Sequence, residues 1–420
     1  MRLPSSPHRG GVATLAAVGL SALFALAATA ARADDAPAAA PKDTVRAEVG
    51  APLQAAQGLM KDKKFKEALA KIHEAELIPN RTPYEIFVTD QMRGSAAANN
   101  GDDELAATSF EAVVNSGRQP ADQRLKTEQA IAGTYFKLKN YTKAVSWASR
   151  YLKEGGTEAS AEDLIINSYY LLNDFASAAN ELKTVVEADE KAGRVSTEVH
   201  LQILLNCYSK LNNGAAQGAV LEKLLVSYPK KDYWEIAISH VQHRASADRL
   251  TLDVLRLRFA LADLKKEADY MTLSQLALDA GFPSEAKKVV EQGYAAGILG
   301  KGPEAERHKR LQALVNKMAA EDQATLAAGD ADAEKLKGGD GLINAGYNYV
   351  LNGKHEKGLA LMEQGMKKGG LKHPEDARLH LGIAQYLSGE KARAVQTFHA
   401  VTGNDGVGDL AHLWAVYAAR

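Results

Sequence analysis

Cysteine is nearly absent from this 420-residue chain, Cys207 being the only one. A lone cysteine cannot form an intrachain disulfide, and no Cys follows the apolar N-terminal segment, so a lipoprotein-type acyl anchor has no attachment site. Aromatics are scarce at 6%, and proline is limited to 12 residues. Both counts disfavour a sandwich or barrel of short strands. Neither sign of charge dominates: Lys+Arg is 51 and Asp+Glu is 52, without the basic excess of a nucleic-acid binder. After residue 33 no apolar run approaches membrane-spanning length. What is abundant is alanine, leucine and charged residues, the composition of packed helices.

The first 33 residues stand apart. Arg2 and Arg9 precede an uncharged apolar stretch, "GVATLAAVGLSALFALAATA", which ends at Ala31-Arg32-Ala33. That is the layout of a signal peptide with an A-x-A cleavage site, giving a mature chain that begins at Asp34. The apolar run is also long enough for an uncleaved anchor, but its Gly, Thr and Ser content and the cleavage site favour removal. Export to the periplasm of a Gram-negative bacterium is the expected consequence, with no membrane span afterwards. Residues 34–48 open with "DDAPAAAPKD" and read as a disordered Ala/Pro tether.

The folded part is repetitive. "FKEALAKIHEAE" at 65–76, "YTKAVSWASRYL" at 141–152 and "FASAANELKTVV" at 175–186 share one frame: an aromatic, a small residue three later, an apolar residue four after that. The small residues are Ala68, Ala144 and Ala178, with Ala106 in the same slot of "ELAATSFEAVV". Ala286, Gly358 and Ala394 continue the series at close to whole multiples of about 36 residues. A preceding helix carries its own signature at Gly94, Ala132, Ile166, Gly346 and Gly382, with Tyr135, Tyr169 and Tyr349 three residues after the slot. Gly346, Gly358 and Gly365 lie inside helices, where each costs about 1 kcal/mol relative to Ala. The counterparts of Gly346 and Gly358 one unit away, Gly382 and Ala394, mark them as close-contact positions between helices rather than loop glycines.

These residues resemble the tetratricopeptide repeat, a helix–turn–helix with the pattern W-x2-L-G-x2-Y, A-x3-F and a closing P. The resemblance covers roughly residues 49–400 and is weakest around 232–262 and 303–338. It implies an all-α, right-handed superhelical solenoid of about ten antiparallel helix pairs, some degenerate. The expected arrangement is repeats over 49–328, a flexible joint at 329–341, further repeats over 342–408, and a capping helix at 409–420.

No catalytic constellation emerges. His240 and His243 share a helical face in "SHVQH", but H-E-x-x-H and cysteine clusters are absent. Cys207 lies among apolar residues without a basic partner, as a packed inert thiol does. "KGGDG" at 337–341 does not join a strand to a helix, so it is not a phosphate cradle. Neither an enzyme nor a cofactor or metal protein is indicated.

Surface remains. In the resembled family the first helix of each pair lines a concave groove that takes extended peptides or partner helices. Carried over slot by slot, that groove presents Lys126, Gln129, Phe136 and Lys137, then Asp163, Asn167 and Tyr170, then Gln202, Asn206 and Ser209. Asn167 and Asn206 occupy equivalent slots suited to a ligand backbone, and Phe136 and Tyr170 offer apolar contact. The basic clamp that some family members use for C-terminal carboxylates is not reproduced. A non-enzymatic, exported scaffold binding a protein of the cell envelope is therefore expected. The alternative is a glycan- or peptidoglycan-associated accessory factor.

Overall fold

The computed structural model describes residues 43–244, 249–403 and 405–420. The expected signal segment 1–33 and residues 34–42 of the expected tether lie outside these. Among the described residues there are twenty helices and no strand. The chain divides into two compact units, the described part of Met1–Ser196 with Asn206–Leu211, and Thr197–Leu205 with Asn212–Arg420.

Unit 1 begins with α1 (Ala47–Lys61) and α2 (Phe65–Glu76), so helix already replaces the expected tether at Ala47. The pairs α3 (Pro83–Asn100) and α4 (Asp103–Asn115), α5 (Ala121–Lys137) and α6 (Tyr141–Lys153), and α7 (Ala159–Leu171) and α8 (Phe175–Lys191) follow. Next come α9 (Glu198–Lys210), divided between the units, and α10 (Gly214–Ser227). Unit 2 continues through α11 (Lys231–Arg244), α12 (Thr251–Ala260), α13 (Glu267–Asp279), α14 (Pro283–Ala295) and α15 (Ala305–Lys335). It ends with α16 (Asp340–Leu351), α17 (His355–Lys368), α18 (Pro374–Leu387), α19 (Lys391–His399) and α20 (Val407–Ala418). That makes nine pairs, with α15 and α20 outside the pairing, rather than about ten.

Seven of the nine pairs are built by the same local chemistry. The first helix ends in a residue of left-handed conformation: Lys63, Gly101, Lys139, Asn173, Gly281, Gly353 or Gly389. The following N–H then reaches back to the last turn, as Asp102 N does to Ala97 O at 2.9 Å and Asp174 N to Tyr169 O at 2.9 Å. This Schellman closure satisfies carbonyls that the helix end would leave bare. Asp102, Asn140 and Asp174 next cap the second helix through their side chains. Five residues after each left-handed position stands the small residue of the repeat. Ala68, Ala106, Ala144 and Ala178 are fully buried, as are the apolar residues Ile72 and Leu182 four positions further on.

The close contacts expected of the glycines are present. A β-carbon on Gly358 would lie 2.6 Å from Gly346 O and 2.6 Å from Val350 Cγ2, and one on Gly346 would lie 2.5 Å from Gly358 O. A β-carbon on Gly365 would lie 2.8 Å from Gly339 O. α16 and α17 thus meet backbone to backbone. Gly94 and Gly382 instead admit the rings of Phe110 and Phe398, which a β-carbon would meet at 2.9 and 2.5 Å.

The weakly repetitive stretches depart from the pattern. Residues 303–338 form no pair but one 31-residue helix, α15, whose Asp322 carboxylate accepts from Asn348 Nδ2 at 2.7 Å and Asn352 Nδ2 at 3.2 Å. The segment 329–341, expected as a joint, is helical as far as Lys335 and again from Asp340. The last helix does more than cap the final pair. Leu410, Ala411, Trp414 and Ala418 are buried, and α20 packs against α10 and α11 as well as α18 and α19. Unit 2 therefore turns back on itself.

Candidate functional site

The nominated groove residues follow the period of a helix face. Asp163, Asn167 and Tyr170 on α7, and Gln202, Asn206 and Ser209 on α9, stand at i, i+4 and i+7. On α5 the same slots hold Gln129, Gly133 and Phe136, with Lys126 one turn earlier. α5 and α7 pack side by side within unit 1, and polar groups bond from one first helix to the next. Gln129 Nε2 donates to Ser160 Oγ of α7 at 3.3 Å. Tyr170 OH donates to Asn206 Oδ1 of α9 at 2.9 Å. Gln202 Nε2 donates to Tyr233 OH of α11 at 2.5 Å and to Glu198 Oε1 at 3.4 Å.

These bonds change the expected roles. The Asn206 carbonyl oxygen is engaged by Tyr170, so Asn167 and Asn206 are not equivalent ligands for a peptide. The aromatic slots are not free either. Phe136 is half-buried against Tyr141 with ring centroids 5.5 Å apart, and Tyr170 against Phe175 at 5.4 Å, both edge to face. In each case the partner is the aromatic that opens the second helix, five residues downstream, a spacing already visible in the repeat. Lys137 pairs with Asp103 at 2.5 Å. Lys126, Asn167 and Ser209 remain exposed. Asn167 Nδ2 donates to the Asp163 carbonyl at 2.7 Å, which turns its own oxygen outward from that bond.

Sequence reasoning missed Tyr233, whose hydroxyl donates to Glu198, itself 2.6 Å from Lys230 Nζ. Burial, followed by the Glu198 contact, pushes the Tyr233 hydroxyl up to about 12. It also missed a charged cluster inside unit 2. Asp253 and Arg256 of α12 are buried and paired at 2.8 Å, Arg256 reaches Glu285 at 2.6 Å, and His380 of α18 lies 2.9 Å from Asp253. The Arg256 guanidinium covers the ring of Tyr347 at 4.9 Å. Tyr347 occupies on α16 the slot that Asn167 occupies on α7, and it is fully buried. The slot open on α7 is filled on α16.

His243 Nδ1 lies 2.7 Å from the Ser239 carbonyl oxygen, and Cys207 is buried, its thiol pushed up to about 11 by desolvation. Among the described residues no group of three or more His, Cys, Asp or Glu side chains is arranged to hold a metal ion. No helix among them is long and apolar enough to cross a membrane.

No family model matches the chain. No curated protein matches it. Among solved structures, a tetratricopeptide repeat protein from Parabacteroides merdae is 12% identical over 80% of this chain and 99% of its own, with a TM-score of 0.28. Naa15/Naa10 bound to HypK-THB is 14% identical over 85% of this chain and 63% of its own, with a TM-score of 0.30. The P58(IPK) TPR domain is 13% identical over 88% of this chain and 98% of its own, with a TM-score of 0.21. The tetratricopeptide-like character of the array rests on the chain's own turns, small-residue contacts and helix pairing.

Proposed function

We propose that this protein is a non-catalytic, exported scaffold of the bacterial cell envelope that binds a protein partner along the first-helix face of unit 1. The single observation that supports this reading most is the contrast at one repeat slot. Asn167 is exposed on α7, whereas its counterpart Tyr347 on α16 is sealed beneath Arg256. Lys126 and Asn167 supply a cation and an amide on neighbouring first helices, suited to the carbonyls and side chains of an extended peptide or helix. Export to the periplasm rests on the pattern of residues 1–33.

Pull-down from periplasmic extract tests the reading. Lys126→Glu and Asn167→Ala should each weaken capture of the partner, by about 1 kcal/mol for the lost amide bond, with unchanged circular dichroism. Sedimentation of the purified protein with isolated sacculi, unaffected by either substitution, would instead favour a peptidoglycan-associated role and contradict this reading.

A further inference from the structure

The last helix of unit 2 is tied to its first helices by polar contacts that span most of the unit. His412 Nδ1 of α20 lies 3.4 Å from Glu222 Oε2 of α10. Tyr417 OH donates to the carbonyl of Ala260 on α12 at 2.8 Å, and Arg420 donates to Leu225 O at 3.3 Å while lying 4.8 Å over the Trp234 ring. Arg249 binds both Asp376 and Asp405, and His380 binds Asp253. Of these contacts, those of Tyr417 and Arg249 keep their charge state across neutral pH, both groups being raised above their ordinary values. The His412–Glu222 pair sits among further imidazoles. The His399 ring of α19 is 5.9 Å from that of His412. Around Gly218 of α10, Asp409 Oδ1 of α20 and His240 Nε2 of α11 lie within 3.7 and 3.9 Å of the β-carbon position.

We infer that the His412–Glu222 pair is a proton-operated latch that fastens α20 onto α10 in acid and loosens it as pH rises. The groups facing the pair are Lys223 of α10, next in sequence to Glu222, His240 of α11, His399 of α19 and Asp409 of α20 itself, while α18 brings Tyr386 against Trp414 and Tyr417. The carboxylates Glu222 and Asp409 favour the imidazolium, and the hydrogen bond to Glu222 is the leading cause that raises His412 above its ordinary value. Glu222 is lowered in turn, chiefly by the same bond. A raised histidine contributes stability that is complete below its unfolded value near 6.5 and is lost as pH climbs through the higher folded value. His412 and Glu222 are both partly exposed, so protons reach them without unfolding. Loosening α20 frees the helix that closes unit 2, while the Arg249 contacts hold the rest.

Hydrogen exchange by mass spectrometry on the full chain, at about pH 5.5 and about pH 8.5 and corrected for intrinsic rates, reads the latch directly. Protection of α20 amides should fall several-fold at the higher pH, while α16 and α17 stay unchanged. His412→Gln keeps a donor to Glu222 without a titrating proton, and should abolish the pH dependence; His399→Gln should retain it. Equal α20 protection at both values, a pH dependence surviving His412→Gln, or a loss spread evenly over unit 2 would overturn the inference.

Discussion

Glycine separates two physical situations in this chain, and the same substitution should have opposite signs in them. At Gly358 a methyl group would press on the Gly346 carbonyl and the Val350 amide, 2.6 and 2.8 Å away. At Gly329, inside α15, nothing lies within 4 Å of the β-carbon position. Gly329→Ala should therefore stabilise by up to about 1 kcal/mol through helix propensity. Gly358→Ala should destabilise by about 1–2 kcal/mol, overpacking outweighing the same gain. Both glycines are in unit 2, so urea midpoints of the two variants are directly comparable. A charged residue provides the second test. The Glu85 carboxylate is buried, accepts from Arg46 Nε and Nη2 at 2.9 Å, and also takes the backbone amides of Arg46 and Thr82. The Arg46 hydrogen bond leads in holding it down to about 2. A depressed carboxyl contributes stability above its unfolded value, near 4.3, and loses it as pH falls through about 2. The Tm difference between wild type and Glu85→Gln should thus be largest at neutral pH and vanish near pH 2. A constant difference would show that Glu85 acts by packing alone.

At the scale of elements, the turn between the first and second helix of a pair does most to define the repeat. Seven pairs close through a left-handed residue five positions before the small residue, and glycine or asparagine fills most of these positions. The link from α12 to α13 uses Ala262 at φ 53°, where a side chain costs about 1 kcal/mol. Ala262→Gly should raise the denaturation midpoint of unit 2 by roughly 0.5–1 kcal/mol, read by urea unfolding followed at α13. The small residues were legible because their identity is dictated by contact and their period is long. The groove face was legible only as a period: 167, 170, 202 and 206 do share a face, but the Tyr170–Asn206 bond depends on how two pairs stack, which spacing does not encode. α15 was illegible for a related reason. Its glycine-rich end, "GDADAEKLKGGDG", has turn-like composition, yet Asp322 and the packing of Leu326 and Ala333 keep it helical to Lys335.

For the whole molecule, the two units use one building block differently. Unit 1 leaves exposed Lys126 and Asn167 on its first helices, while unit 2 turns back on itself through α20 and fills its inner face with Asp253, Arg256, Glu285, Tyr347 and His380. Nothing in the local repeat foretold this closure, because Arg249 to Asp376 and Glu222 to His412 are contacts between distant parts of the chain. Partner binding is therefore proposed for unit 1. Site-specific photocrosslinking tests that placement most directly, with a photoreactive residue at Asn167 on the first-helix face or at Lys183, an exposed position of α8 on the second-helix side. Position 167 should trap one partner of defined mass in periplasm, and position 183 should trap none. Capture of the same partner from 183 and not from 167 would contradict that placement.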